Sequence, residues 1–137
     1  MHPAARLLAI TLDCPDPIRL ARFYQGFLGG QVAATEAHDF AALTGTGGAR
    51  LDFQRTANPA APAWPDPAAA RRQHLDFAVA DMAAAEQRLR ELGAEVSEHQ
   101  PGGDRFKVFV DPAGHLLCIV PRDAADLPAE LLAPVAG

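Results

Sequence analysis

The 137-residue sequence has little of several features that mark special classes of protein. It holds two cysteines, Cys14 and Cys118, whose spacing matches neither a disulfide framework nor a cysteine-rich metal motif. No apolar run approaches the roughly 18 residues of a membrane-spanning helix, and the first residues lack the apolar core and cleavage pattern of a signal peptide. We therefore expect a cytoplasmic protein that makes no membrane contact.

A basic excess is also lacking, because 12 Lys and Arg stand against 17 Asp and Glu, for a net charge of −5. Such a chain has no large basic surface to attract nucleic acid, so we expect no nucleic-acid partner. What the sequence does have is 49% hydrophobic and 21% charged residues, as in ordinary globular proteins. A chain of this length can bury a core, and we expect one domain over residues 1–137.

The most informative feature that is present is a pattern that occurs twice. Residues 8–32 and 73–96 both read as a strand, an Asp, an amphipathic helix, a glycine and a new strand. Asp16 and Asp81 are suitable N-cap residues, and Gly29 and Gly93 are suitable at the helix C-terminus. Two copies indicate a pseudo-symmetric domain, with a site where the halves face each other.

Each copy predicts a βαβββ module, so the expected fold class is α+β. Module one covers residues 6–56 and module two covers 73–121, in which Asp111 begins the turn before the last strand. Residues 57–72 are rich in proline and alanine and predict a linker or covering loop. The tail, 122–137, is expected to hold a short helix near 128–132. The remaining strands are expected at 31–35, 40–43, 50–55, 94–98, 105–110 and 116–120.

The first strand of each module has two unlike faces, because apolar residues alternate with small or polar ones. If helices cover the apolar face from outside, the other face lines a concavity. We therefore predict two curved mixed sheets that form a cup, with both helices outside. The residues on the second face are Ala9, Thr11 and Asp13 in module one and His74, Asp76 and Ala78 in module two.

The order and spacing of these segments resemble the glyoxalase-like, or glyoxalase/bleomycin-resistance type, members of the vicinal oxygen chelate superfamily. The resemblance covers nearly all of residues 6–121 and is carried by LDCPDPIRLARFYQGFLG, LDFQRT, QHLDFAVADM and VDPAGHLLCIV. It implies a cup between the modules for a small organic molecule, and a homodimer, which would also cover open sheet edges. Metal-dependent members hold a Lewis-acidic ion with a His, Gln or Glu on the first strand of each module and a Glu on the last.

The ligand positions that the resemblance implies are only partly filled. In module two, the first-strand position holds His74 and the last-strand position holds Cys118. In module one, the first-strand position holds Ala9, which cannot bind metal, and the last-strand position falls near Asp52 to Gln54. Divalent metals of this chemistry prefer imidazole and carboxylate donors, so we expect no tightly bound catalytic metal and no cofactor.

His74 is the best candidate for catalysis, since a histidine side chain exchanges protons near neutral pH, although a structural strand histidine is the alternative. Cys118 is either reactive or a small buried apolar residue, and the sequence shows no basic neighbour that would activate it. Trp64 either closes over the cup or packs against the protein. The candidate substrate-binding residues are Thr11, Asp52, Gln54, Trp64, Phe109 and Cys118.

Two functions of different classes fit these residues. One is a metal-independent lyase-type or isomerase-type enzyme that acts on a small organic molecule through His74. The other is a non-catalytic protein that binds an antibiotic-type molecule. The fold does not decide between them. A cup with few charges suits a neutral or weakly polar ligand in either case.

Overall fold

The computed structural model describes residues 7–57 and 74–122. Over these ranges the elements follow the order βαβββ twice, which confirms the α+β fold class predicted from the repeat. Trp64, most of the predicted linker and the predicted helix near 128–132 lie outside the described residues. In the described part of the chain, neither helix is long and apolar enough to cross a bilayer.

The first module is a four-stranded mixed sheet with one helix. Asp16 caps the helix by accepting a hydrogen bond from the backbone N–H of Arg19 at 3.2 Å, and Pro17 occupies the first helical position. Gly29 is the C-cap residue that follows the helix, and its φ of 78° favours glycine. The elements are β1 (Ala9–Cys14), α1 (Pro17–Leu28), β2 (Gln31–Ala34), β3 (Phe40–Thr44) and β4 (Arg50–Arg55).

The strand order of the first sheet is β1-β4-β3-β2, with β1 parallel to β4 and the other pairs antiparallel. Helix α1 covers the face that carries Leu12 and Phe53, because Tyr24 of α1 stacks on Phe53 with ring centroids 5.9 Å apart. These side chains are buried. Thr11 and Asp52 are register partners one residue away and therefore lie on the opposite face.

The second module repeats this arrangement. Asp81 caps its helix by accepting a hydrogen bond from Ala84 N–H at 3.0 Å, and Gly93, with φ 104°, follows the C-cap residue Leu92. Its sheet has the order β5-β8-β7-β6, with β5 parallel to β8. The elements are β5 (Leu75–Val79), α2 (Met82–Glu91), β6 (Glu95–Val96), β7 (Lys107–Val110) and β8 (Leu116–Pro121). The chain forms two compact units, one with β1–β4 and the other with β5–β8.

Helix α2 lies on the face of the second sheet that carries Lys107, because Lys107 forms an ion pair with Glu86 of α2. Lys107 is the register partner of Ile119, and Phe77 is the partner of Ile119 on the other side. The apolar first-strand residues therefore share the face of the helix, as predicted. We call the opposite face the distal face; its residues are Asp76, Ala78, Val108, Val110, Leu116, Cys118 and Val120.

One strand is much shorter than the sequence predicts, since β6 ends at Val96 rather than near residue 98. The Gln100 side chain is the reason. Its amide nitrogen donates to the carbonyls of Ser97 and Val108, and its oxygen accepts from Val108 N–H, all within 2.9 Å. An amide side chain thus takes over the hydrogen bonds that a longer β6 would supply.

Candidate functional site

Three side chains with different chemistry come together at one edge of the distal face. His74 precedes β5, and its Nε2 lies 3.4 Å from a carboxylate oxygen of Asp76. Cys118 is the register partner of Asp76 on β8. One potential donor atom from each residue, nitrogen, oxygen or sulfur, lies within 4.8 Å of the others. An imidazole, a carboxylate and a thiol therefore form one cluster, which we call the His–Asp–Cys cluster.

Solvent reaches the three members of this cluster unequally. The side chains of His74 and Asp76 are 45% and 60% exposed, whereas Cys118 is 5% exposed. The thiol thus lies at the base of the cluster, and the two polar groups lie at its rim. A ligand would meet the imidazole and the carboxylate before the thiol.

The rest of the distal face beside the cluster is apolar. Cys118 packs in a buried group with Val108 and Leu116, and the half-buried Phe106 and Val110 pack against it. The polar rim therefore adjoins an apolar floor. Such a combination suits a ligand with an apolar body and one or two polar atoms.

On the first sheet, Asp52 is engaged in a strong interaction of its own. Its carboxylate is buried, at 4% exposure, and accepts two hydrogen bonds from Arg50, at 2.7 Å from Nε and 2.8 Å from Nη2. This contact with Asp52 raises the pKa of the Arg50 guanidinium. Because Asp52 already forms a bidentate pair with Arg50, its first role is to hold that guanidinium in place.

Thr11 and Gln54 lie on the same face of the first sheet as Asp52, as strand parity predicts. Both are exposed. Thr11 is the register partner of Asp52, and Gln54 is the partner of Asp13. Their polar side chains are accessible for a ligand, and their role as substrate-binding residues stays a prediction.

The register corrects the placement of Phe109. Phe109 is the partner of Leu117, whereas Val108 is the partner of Cys118. Phe109 therefore points to the face that α2 covers, and its side chain is fully buried. A one-residue difference in register moves a side chain to the other face, so Phe109 belongs to the core and not to the surface that carries His74.

A groove of about 410 Å³ lies on the α2 side of the second module, lined by residues that include Met82, Glu86, Gln100 and Lys107. Its Lys107 and Glu86 neutralise each other, and the amide of Gln100 is used in backbone hydrogen bonds. Apart from the exposed carboxylate of Asp104, the polar side chains of the groove are therefore already engaged. We place the candidate site on the distal face.

The residues of this chain do not match the set of metal ligands that the family resemblance implies. That set needs a donor at position 9, where alanine has none, and a carboxylate at position 118, where cysteine packs among apolar side chains. His74 and Asp76 remain as exposed donors. The expectation of no tightly bound catalytic metal stays a prediction.

Sequence reasoning missed two features of these surfaces. Asp76 was placed on the second face but was not connected with Cys118, because their proximity depends on a register across 42 residues of chain. Arg50 was not considered, although its i, i+2 spacing from Asp52 on one strand face was a usable signal.

Comparison with known proteins adds a family and a set of similar folds. The family model described as a glyoxalase-like domain matches residues 9–120. Among solved structures, a fosfomycin resistance protein from Mesorhizobium loti has a TM-score of 0.66 at 16% identity, covering 96% of this chain and 98% of that one. A glyoxalase/bleomycin resistance protein/dioxygenase family enzyme from Burkholderia phytofirmans has a TM-score of 0.63 at 15% identity, with 84% and 97% covered.

The oxidase ChaP-H2 is similar at 24% identity and a TM-score of 0.61, with 88% of this chain and 95% of that one covered. The search of curated proteins gave no match. At these identities, the similar structures establish the fold and leave the reaction open.

Proposed function

Because the chain belongs to the glyoxalase-like domain family, we propose that it binds a small organic molecule on the distal face and acts on it through His74. The observation that carries this proposal is the His–Asp–Cys cluster beside an apolar floor. The half-buried Phe106 and Val110, which pack on the buried Val108 and Leu116, would contact the apolar body of the ligand. The rim would hold a carbonyl or hydroxyl group.

The chemistry that the rim supports is proton transfer of the lyase or isomerase type. The contact of Nε2 with Asp76 orients the imidazole and favours a proton on that nitrogen. Nδ1 is then the atom that accepts a proton from a carbon next to the ligand carbonyl. Return of the same proton to a neighbouring atom completes an isomerisation without a metal or other cofactor.

The second candidate is a non-catalytic binding protein for an antibiotic-type molecule. The apolar floor favours it, because a surface of this kind can bind without doing chemistry. The similar structures include a fosfomycin resistance protein. The two candidates differ in whether bound ligand is converted.

A thermal-shift screen of dicarbonyl compounds and aromatic natural products, followed by product analysis of each hit, tests both. A hit that raises the melting temperature and is converted supports the enzyme. A hit that is bound and recovered unchanged supports the binding protein. If His74→Ala does not reduce the rise in melting temperature that any of the hits produces, the proposed site is wrong.

The proposal includes a cytoplasmic homodimer, because β1 and β6 are edge strands of the sheets in the described residues, and a second copy can cover such edges. Exposed Leu7 and Leu8, at 70% and 58%, lie next to the β1 edge and add apolar surface there. We expect light scattering at micromolar concentration to give twice the mass of the 14.5 kDa chain. A clean monomer would contradict this part of the proposal.

A further inference from the structure

We infer that Cys118 is a nucleophile of the distal face, with His74 as its base and Asp76 as the group that positions the base. The inference rests on the proposed function for its location. It adds a covalent step and a substrate class, carbon electrophiles with a conjugated carbonyl group.

The geometry of the His–Asp–Cys cluster supplies what an isolated cysteine lacks. An activated nucleophile requires a base near its reactive atom and a third group that orients the base, and these distances are often looser before a ligand is bound. Here a thiol, an imidazole nitrogen and a carboxylate oxygen lie within 4.8 Å of one another, and the imidazole contacts the carboxylate at 3.4 Å. The register that joins β5 to β8 creates this arrangement.

The surroundings of Cys118 also limit what it can react with. On β7 its register partner is the apolar Val108, and Leu116 lies on the same face of β8. Because Val108 and Leu116 are buried and His74 is 45% exposed, the thiol is reached from the His74 side. A polarisable sulfur at such a place suits a soft, largely apolar electrophile better than a charged one.

The proposed step balances without an oxidant or a metal. His74 takes the thiol proton, and the sulfur forms a bond to the β-carbon of a conjugated carbonyl compound. The electron pair of the carbon–carbon double bond moves to the α-carbon and carbonyl. The imidazolium then returns its proton to the α-carbon, which leaves a thioether and a neutral histidine.

Cys14 provides a matched control within the same chain. It is the other cysteine, it is fully buried, and its sulfur lies 3.7 Å from the carbonyl oxygen of Gln54, on the face of the first sheet that α1 covers. In the described part of the chain, Cys14 belongs to no group of three such side chains, whereas Cys118 does. Burial of a thiol without activation should make it inert.

The test is the rate at which N-ethylmaleimide modifies each cysteine, measured by peptide mass spectrometry on chelator-treated protein. We expect Cys118 to react faster than Cys14 at neutral pH and His74→Gln to slow Cys118 by about tenfold. We expect Asp76→Asn to slow it by a smaller factor. The His74 effect should shrink at alkaline pH, where thiols ionise unaided, and a purely structural histidine would not give this pH dependence.

Equal Cys118 rates in the wild type and in folded His74→Gln at neutral pH would overturn the inference. So would modification of both cysteines at one common rate, since that pattern reports global unfolding. The proposed function fails on a different result, namely that substitution of His74 leaves ligand binding unchanged. The maleimide experiment needs no natural ligand, so the two failures are distinguishable.

Discussion

At the scale of the residue, the two modules differ in whether their polar groups already satisfy each other. Asp52 is buried and held by two hydrogen bonds from Arg50. His74 and Asp76 touch through a single contact and are exposed. The first pair is therefore built into the sheet, whereas the second pair is accessible to a ligand.

We expect Arg50→Met to lower the melting temperature by several degrees, because it leaves the buried carboxylate of Asp52 without its cation. The measurement is thermal unfolding of the variant beside Arg50→Met/Asp52→Leu. Replacement of both partners by apolar residues should recover most of the loss. If the double variant is no more stable than the single one, the pair is not the reason for the loss.

Metal content is a second prediction at this scale. We expect purified protein to hold far less than one equivalent of zinc, nickel or manganese, since position 9 has no donor and His74 and Asp76 are not held in a closed ligand shell. Elemental analysis after extensive dialysis measures this. Near-stoichiometric metal that His74→Ala removes would contradict it.

At the scale of the element, the ends of the helices could be predicted from the sequence, and one strand could not. Asp16 and Asp81 cap their helices through their own side chains, a local interaction that the sequence carries in full. The early end of β6 depends on Gln100, whose amide bonds Ser97, just after β6, and Val108 of β7. Such a bond depends on loop conformation, which hydrophobic periodicity does not report.

Helix α2 is joined to its sheet by charge as well as by apolar packing. Glu86 pairs with Arg90, which lies one turn later on the same helix, at 3.1 Å. The structure adds Lys107 of β7 to the pair. The hydrogen bond from Lys107, followed by the charge of Lys107 and the contacts with Arg90, lowers the pKa of Glu86.

This lowered pKa predicts a pH dependence of stability. A carboxylate whose pKa is lower in the folded state stabilises the fold above its unfolded value, 4.5 for Glu86, and this contribution is lost as pH falls through the folded value. We expect Glu86→Gln to cost about 0.5–1 kcal/mol at neutral pH, because the pair is partly exposed. Urea unfolding of both proteins at several pH values should show this difference shrinking toward zero in acid.

A difference between the two proteins that stays constant from neutral to acidic pH would show that the carboxylate is not the source of the stability. Lys107→Met should reproduce the neutral-pH loss. It should also weaken the acid dependence at Glu86, since Lys107 makes the largest contribution to the lowered pKa.

At the scale of the whole molecule, the repeat and the two-faced strands could be predicted because both follow from local periodicity. Cap residues, the order of elements and the face of each first strand all came from short stretches of sequence. The site depended on long-range register, which is why Phe109 was placed on the wrong face and the neighbourhood of Cys118 was missed. A register error of one residue reverses a side chain, and the sequence alone did not exclude it.

The central claim is that function resides on the distal face at His74. The most direct test is the dissociation constant of a ligand found by the thermal-shift screen, measured for the wild type, His74→Ala and His38→Asn. His38 is an exposed histidine in a turn of the first module, where a φ of 57° also suits asparagine.

We predict that His74→Ala weakens binding by about tenfold or more, the loss of one strong polar contact. Because the side chain is 45% exposed, the melting temperature of the unliganded protein should barely change. His38→Asn should bind like the wild type. Unchanged affinity in a folded His74→Ala, or a His74→Ala that unfolds while ligand turnover persists, would contradict the account.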